Sequence, residues 1–182
     1  MNKFLSEDLV RVLIGFKQSE KPISILTGAG ISAASGIPTF RGKDGFWVVG
    51  SKNYKPEKMG TMEMFRENPL AVWKWFIYRK TICEKAKPNE GHQAIVDLEK
   101  IFQNRFYLIT QNVDGLHQRA GSSPDKIFSI HGTLDFMRCG DLCTSELFPF
   151  PAIRKDREEN FLESEILQLK CPNCGEFARP NV

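Results

Sequence analysis

The sequence predicts an α/β fold, a parallel sheet with helices against it, carrying a small module built on cysteines. Three observations predict it. Apolar runs at Ile23 to Thr27, Phe106 to Thr110 and Lys126 to Ile130 read as buried strands, and helical patterns separate the first two. The first run ends in closely spaced glycines, Thr27-Gly28-Ala29-Gly30-Ile31-Ser32-Ala33, as a strand does when it turns directly into a helix. Two close cysteine pairs, Cys139-x3-Cys143 and Cys171-Pro172-Asn173-Cys174, lie together late in the chain.

Composition bounds the rest. The 182 residues, 41% apolar, suffice for one ordinary core and a small satellite module. Lysine and arginine exceed the acids by only 25 to 22 and form no long basic block, so neither a nucleic acid nor a membrane is an expected partner. Met1 to Asp8 turns acidic where a signal peptide needs its apolar stretch, and no later run approaches membrane-spanning length; a soluble, cytoplasmic protein is expected. Four of the five cysteines fall in the late cluster and Cys83 stands alone, a grouping that favours metal over disulfides.

In chain order, Ser6 with Glu7 and Asp8 makes an N-cap and acidic first turn. Leu9, Leu13 and Phe16, with Val10 and Val12, then give an amphipathic helix to about Lys17. It delivers the chain into the first strand. The spacing Gly28, Gly30, Ala33 fits the G-x-G-x-x-G/A pattern, in which unpaired backbone N–H groups at a positive helix end receive a pyrophosphate; glycines after a strand also simply make tight turns. A long irregular stretch follows to about Gly60, with Phe40 and Arg41 near its start. Those two either cover a ligand and pair with its charge or belong to a solvated loop.

Asn68-Pro69 caps and starts a helix that runs towards Ala86. Val72, Phe76, Arg79 and Cys83 fall on one face of it, so Arg79 either snorkels to the rim or faces a pocket holding an anion. Pro88 to His92 restarts the chain into a helix marked by Ala94, Ile95, Leu98, Ile101 and Phe102, with His92 structural in its first turn.

Ligands of parallel sheets bind beyond the carboxyl ends of the strands. Here those ends carry Thr27 with its glycines, then Gln111, Asn112 and Asp114, then His131, so polar groups from three separated segments meet at one edge. A hydride-transfer enzyme of this kind holds the ribose with an acid after its second strand, and this chain has Gln111-Asn112 there. A histidine beside a ribose instead suits a general base acting on a hydroxyl. Cys139, Cys143, Cys171 and Cys174 suit a closed tetrahedral zinc site, with redox cysteines as the alternative. Between the pairs, the charged stretch Lys155 to Lys170 reads as a short surface helix.

Together, Gly28-Ala29-Gly30-Ile31-Ser32, Gly36-Ile37-Pro38-Thr39-Phe40-Arg41-Gly42, Thr110-Gln111-Asn112-Val113-Asp114-Gly115-Leu116-His117, His131-Gly132 and Cys171-Pro172-x-Cys174-Gly175 resemble the sirtuin family of NAD-dependent protein deacylases, in the family's order from about Leu9 to Val182. The resemblance implies cleavage of the nicotinamide bond of NAD, with transfer of the acyl group from lysine to give O-acyl-ADP-ribose. It implies His131 as the general base and Asn112 as the residue that positions the ribose and a water. Gln111 would contact the ribose and Asp114 the carboxamide. Gly28, Ala29, Gly30 and Ser32 would line the NAD site, Phe40 and Arg41 would shield the reacting centre, and the four cysteines would hold structural zinc. Acyl-lysine proteins would be the substrates.

The helix Val72 to Arg79 looks most like the branch that removes succinyl and malonyl groups. In that branch a tyrosine and an arginine three residues apart hold the acyl carboxylate. Arg79 matches, and Phe76 stands where the tyrosine is expected; the missing hydroxyl removes one hydrogen bond, worth about 1.5–3 kcal/mol to a buried charge. The first cysteine pair has three intervening residues where the family usually has two.

The resemblance further implies a partial Rossmann-like sheet. Residues 1–136 would be the N-terminal part of the NAD-binding domain, with inserted helices at about 44–87. Residues 137–178 would be the zinc-binding module, and 179–182 the start of the next Rossmann strand, with the remainder absent. An ADP-ribosyltransferase or NAD hydrolase using the same site is the second enzyme reading, and an inactive zinc-binding fragment the third.

Overall fold

The computed structural model describes residues 6–39, 56–156 and 159–182. Phe40 and Arg41 lie outside the described residues. The first helix, α1 (Glu7–Gln18), begins where expected because the Ser6 hydroxyl accepts from the Leu9 N–H at 3.2 Å. Its C-terminal carbonyls are gathered by one side chain, since the Arg105 guanidinium donates to the carbonyls of Phe16, Lys17, Ser19 and Lys21. The apolar stripe is a different matter. No residue of α1 is buried, and Leu13, Ile14 and Phe16 stay exposed, because nothing among the described residues covers that face.

Strands β1 (Ile23–Thr27), β2 (Phe106–Thr110) and β3 (Ile127–Ser129) form the expected parallel sheet in the order β1-β2-β3. The register sets Thr27 beside Thr110 and Thr110 beside Ser129, so the three carboxyl ends stand level. After β1 the glycine turn leads into α2 (Gly30–Ala33), which is a single turn. The strand thus turns directly into a helix, as expected, but a short one. Ser35 and Gly36, the latter at φ +81°, end it before a dipole can build up.

Next come α3 (Met62–Glu67), capped by Thr61, and α4 (Pro69–Lys85), which begins at the Asn68 cap with proline at its first position. Helix α4 is buried around much of its circumference, at Val72, Trp73, Trp75, Phe76, Ile77, Arg79 and Cys83, as befits a central helix. Helix α5 (Glu90–Phe102) packs Ile95 and Phe102 against Phe106 and Leu108 on one face of the parallel sheet, and α6 (Leu116–Ala120) follows β2.

A second, antiparallel sheet in the order β5-β4-β6 joins β4 (Phe136–Cys139), β5 (Leu147–Pro149) and β6 (Ala178–Pro180). Its inner face packs on α4, where the Trp73 indole N–H donates to the Ala178 carbonyl at 2.7 Å. The link between the sheets turns sharply at Gly132, φ +77°, where any Cβ would lie 1.9 Å from the Asn181 carbonyl oxygen. Only glycine fits there. Helix α7 (Glu163–Gln168) lies on the surface with no buried residue, as expected. No helix among the described residues is long and apolar enough to cross a membrane.

Candidate functional site

A cavity of about 1280 Å³ opens where the carboxyl ends of the parallel strands meet α4. Ala29, Gly30, Gln111, Asn112 and His131 line it from the sheet, and Trp75, Phe76 and Arg79 line it from the helix. The predicted convergence of the three strand ends is thus real in space. Among the described residues that line the cavity none is acidic, and its volume exceeds the 300–1,000 Å³ common for one small ligand.

The histidine that ends β3 is oriented by main chain. His131 Nδ1 lies 3.1 Å from the Gln111 carbonyl oxygen, which can only accept, so Nδ1 carries a proton and in the neutral ring Nε2 is the acceptor. His131 is exposed to the cavity. A neutral imidazole with a bare Nε2 in an open cavity can take a proton from a hydroxyl.

Behind the lining, hydrogen bonds fix Asn112. Its amide donates to the Gly28 carbonyl at 3.1 Å and to the Ser32 hydroxyl oxygen at 3.2 Å, while its main-chain N–H donates to Thr110 Oγ1 at 3.0 Å. The Ser32 hydroxyl donates a hydrogen bond to Asp114 Oδ2 at 2.7 Å, and Asp114 Oδ1 accepts one from the Leu116 N–H. Ser32 and Asp114 therefore support the cavity from behind. Gly28 contributes its carbonyl.

Two further histidines belong to this network: His92, expected as structural in its helix's first turn, and His117, the last residue of the motif after β2. His92 Nδ1 accepts the Asn89 N–H, which leaves the proton on Nε2, 3.5 Å from Ser32 Oγ. It is fully buried, more than a first-turn helix cap requires, and burial above all lowers its pKa. His117 Nε2 lies 2.9 Å from Thr27 Oγ1, which donates onward to Thr110 Oγ1 at 2.9 Å. Burial, then neighbouring His92, drive the His117 pKa down to about 4, against the pull of Asp114. Both imidazoles are neutral at pH 7. A five-residue helix buried on two sides has no periodicity by which the burial of His117 could have been found.

Arg79 lines the cavity and does not snorkel to the rim. Arg79 is buried, its guanidinium 5.7 Å from the Phe76 ring and 6.0 Å from the Trp75 ring, and burial lowers its pKa while Asp114 opposes the shift. Aromatic faces partly offset the cost of a buried cation. Phe76 itself is 2% exposed and carries no polar atom towards the cavity.

The four cysteines come together away from this cavity. Their Sγ atoms all lie within 4.8 Å of one another, with Cys139 and Cys174 at 3.6 Å and Cys143 and Cys171 at 3.7 Å. Ligands about 2.3 Å from a tetrahedral zinc stand roughly 3.8 Å apart, so the set fits that metal, and no disulfide forms among them. The extra residue in the first pair is absorbed by Leu142, which takes φ +56°.

The Sir2 family model matches residues 28–182. An NAD-dependent protein deacylase of Aquifex aeolicus is 46% identical over 160 residues, spanning 88% of this chain and 59% of that protein. One of Leptospira interrogans is 44% identical over 161 residues, spanning 88% and 58%. A solved Sir2 homologue in complex with NAD superposes with a TM-score of 0.69 at 36% identity, covering 94% of this chain and 59% of that one. A Sir2 homologue mutant bound to ADP-ribose gives 0.73 at 37% identity, covering 98% and 63%. The chain spans about three fifths of the length of these relatives. On the extent of these matches, the chain belongs to the Sir2 family, the sirtuins.

Proposed function

We propose that this chain carries the nicotinamide half of the site of an NAD-dependent protein-lysine deacylase. The observation that carries the reading is His131, held by the Gln111 carbonyl with Nε2 bare, in one cavity with Asn112 and Arg79. NAD, when bound, supplies an activated ribose from which nicotinamide leaves and to which the acyl oxygen of lysine adds.

The chain's own residues do the rest. His131 Nε2 takes the proton of a ribose hydroxyl. Asn112, locked by Gly28 and Ser32, orients the ribose and a water, and Gln111 contacts the ribose. Asp114, behind the lining, keeps a lone pair on each oxygen after accepting from Ser32 and Leu116, and the family resemblance alone assigns it the nicotinamide carboxamide. The glycine turn suits close approach of a nucleotide, since a Cβ at Gly30 would meet only open space. Phe40 and Arg41 remain assigned to shielding the reacting centre by the family resemblance alone. Cys139, Cys143, Cys171 and Cys174 hold zinc, which ties β4 to the loop before β6. The division at residues 136 and 178 that the resemblance implies is corrected at its edges: β4 begins at Phe136, and Arg179 and Pro180 lie in β6, paired antiparallel with β4, and do not extend the parallel sheet.

Acyl-lysine proteins are the substrate class. The cavity presents Arg79 to the acyl group without a tyrosine hydroxyl beside it, so an acidic acyl chain gains one charge-assisted contact where the succinyl-removing branch has two.

Mass spectrometry of the products from NAD and an acyl-lysine peptide tests the reading. O-acyl-ADP-ribose with free lysine is expected. ADP-ribose formed without peptide, or an ADP-ribosylated peptide, would replace it with the hydrolase or transferase reading, and zinc retention with no NAD binding would leave an inactive zinc-binding fragment.

A further inference from the structure

The cavity holds a second guanidinium that deacylation as described does not use. Arg138, on β4, lines the cavity with Asn181 and Val182, and its Nε is buried with no hydrogen-bond partner among the described residues. Directly opposite it in the β4–β6 register stands Arg179. Arg179 is 8% exposed, and its Nη2 donates to the Val182 main-chain oxygen at 2.6 Å. Like charges directly across an antiparallel pair destabilise it, and among the described residues no carboxylate forms an ion pair with either arginine. Burial, and next Arg138 itself, lower the Arg179 pKa. Arg138 thus stands at the wall of a cavity whose described lining contains no acid, with a second cation, Arg179, opposite it in the sheet.

An orphaned buried N–H in a native fold calls for a partner, and a guanidinium selects a carboxylate or a phosphate. The position of Arg138 decides between them. It stands on the antiparallel sheet, beside Asn181 and Val182 in the lining, whereas the residues assigned to the nucleotide come from the carboxyl ends of the parallel strands β1, β2 and β3. An anion reaching Arg138 therefore accompanies the acyl-lysine.

We propose that Arg138, backed by Arg179, is a subsite for a carboxylate side chain of the substrate protein, an aspartate or glutamate close in sequence to the acyl-lysine. The inference rests on the deacylase reading and deepens it. It makes the chain selective for acidic surroundings of the modified lysine, independently of the acyl group that Arg79 meets.

Fluorescence anisotropy tests it with the zinc-loaded 182-residue protein, ADP-ribose and labelled acyl-lysine peptides. The peptides differ only in glutamate or glutamine at one position, scanned within roughly three residues of the lysine, the reach of a short extended segment. At one position or more, glutamate should tighten binding by about fivefold, an advantage that shrinks with salt. Arg138→Gln should erase that advantage, Arg138→Lys should keep part of it, and both should leave ADP-ribose affinity and zinc content unchanged. Equal binding of glutamate and glutamine peptides at every position overturns the subsite in the wild-type protein, with no variant needed. An advantage that survives Arg138→Gln overturns it too, and loss of ADP-ribose affinity in Arg138→Gln reassigns the arginine to the nucleotide. If peptides bind alike with and without the acyl group, or none binds, the deacylase reading fails and this inference fails with it.

Discussion

Around α4 and the antiparallel sheet, Trp73, Ile77, Leu134, Cys139, Leu169 and Ala178 are at most 1% exposed, whereas among the described residues the buried members of the cluster under the parallel sheet are Ile95, Phe102, Phe106 and Leu108. The opposite face of that sheet leaves Leu26 63% and Phe128 50% exposed, and the stripe of α1 is equally bare. Both regions have apolar sequences. What separates them is whether the described residues supply a second layer, since an apolar face stabilises only when something removes it from water. The cavity sits on the seam between the two. Its α4 wall, with Phe76 and Arg79, is held by packing, and its sheet wall, with His131 and Asn112, is held by hydrogen bonds that need no cover on the far face.

That contrast can be broken most strongly at the cysteines. Removing the metal by chelation, or Cys171→Ser, should collapse the antiparallel sheet, because structural zinc supplies on the order of 10 kcal/mol to small metal modules. Trp73, hydrogen-bonded to Ala178, should then shift its fluorescence to the red; unchanged emission after complete metal loss would show that packing alone holds the region. Next in size, Trp73→Ala should cost about 3–5 kcal/mol in urea unfolding, as a fully buried aromatic does.

The polar wall responds to pH. His117 is neutral down to about 4 in the folded protein and takes a proton below 6.5 when unfolded, so between those values the unfolded chain binds more protons. Stability should be complete above pH 6.5 and fall as pH drops towards 4, by about 1–2 kcal/mol once screening from the cavity is allowed for. A stability curve flat over that window, or one identical in His117→Gln, would contradict the assignment. The smallest effect belongs to the bare face, where Phe128→Ser should change stability by less than about 0.5 kcal/mol. A loss comparable to that of Trp73→Ala would mean that this face is covered in solution.

Much of this was legible in the sequence because it is written in short, local signals. Ser6, Asn68-Pro69 and the glycine turn marked element boundaries, and strand ends named His131, Asn112 and Gln111 without knowledge of their contacts. The cysteine spacing announced its cluster. What was not legible depends on partners distant in sequence. Periodicity showed that α1 has an apolar stripe but not that it lacks cover. The glycines of 28–30 did not reveal that the next helix is one turn long. His92 and His117 owe their burial to Ser32 and Thr27, more than fifty residues away in each case, and Arg138 meets Arg179 only through strand register. Arg79 had two readings on one helix, and only the surrounding aromatic rings chose between them.

The most direct test of the central claim is nicotinamide release from NAD by the 182-residue protein, with and without matched acetyl-lysine and succinyl-lysine peptides, beside His131→Ala. The account predicts release that requires an acyl-lysine peptide and is lost in His131→Ala while the melting temperature stays near that of the wild type, because His131 is exposed and packs no core. Peptide-independent release, or full activity in His131→Ala, would contradict it.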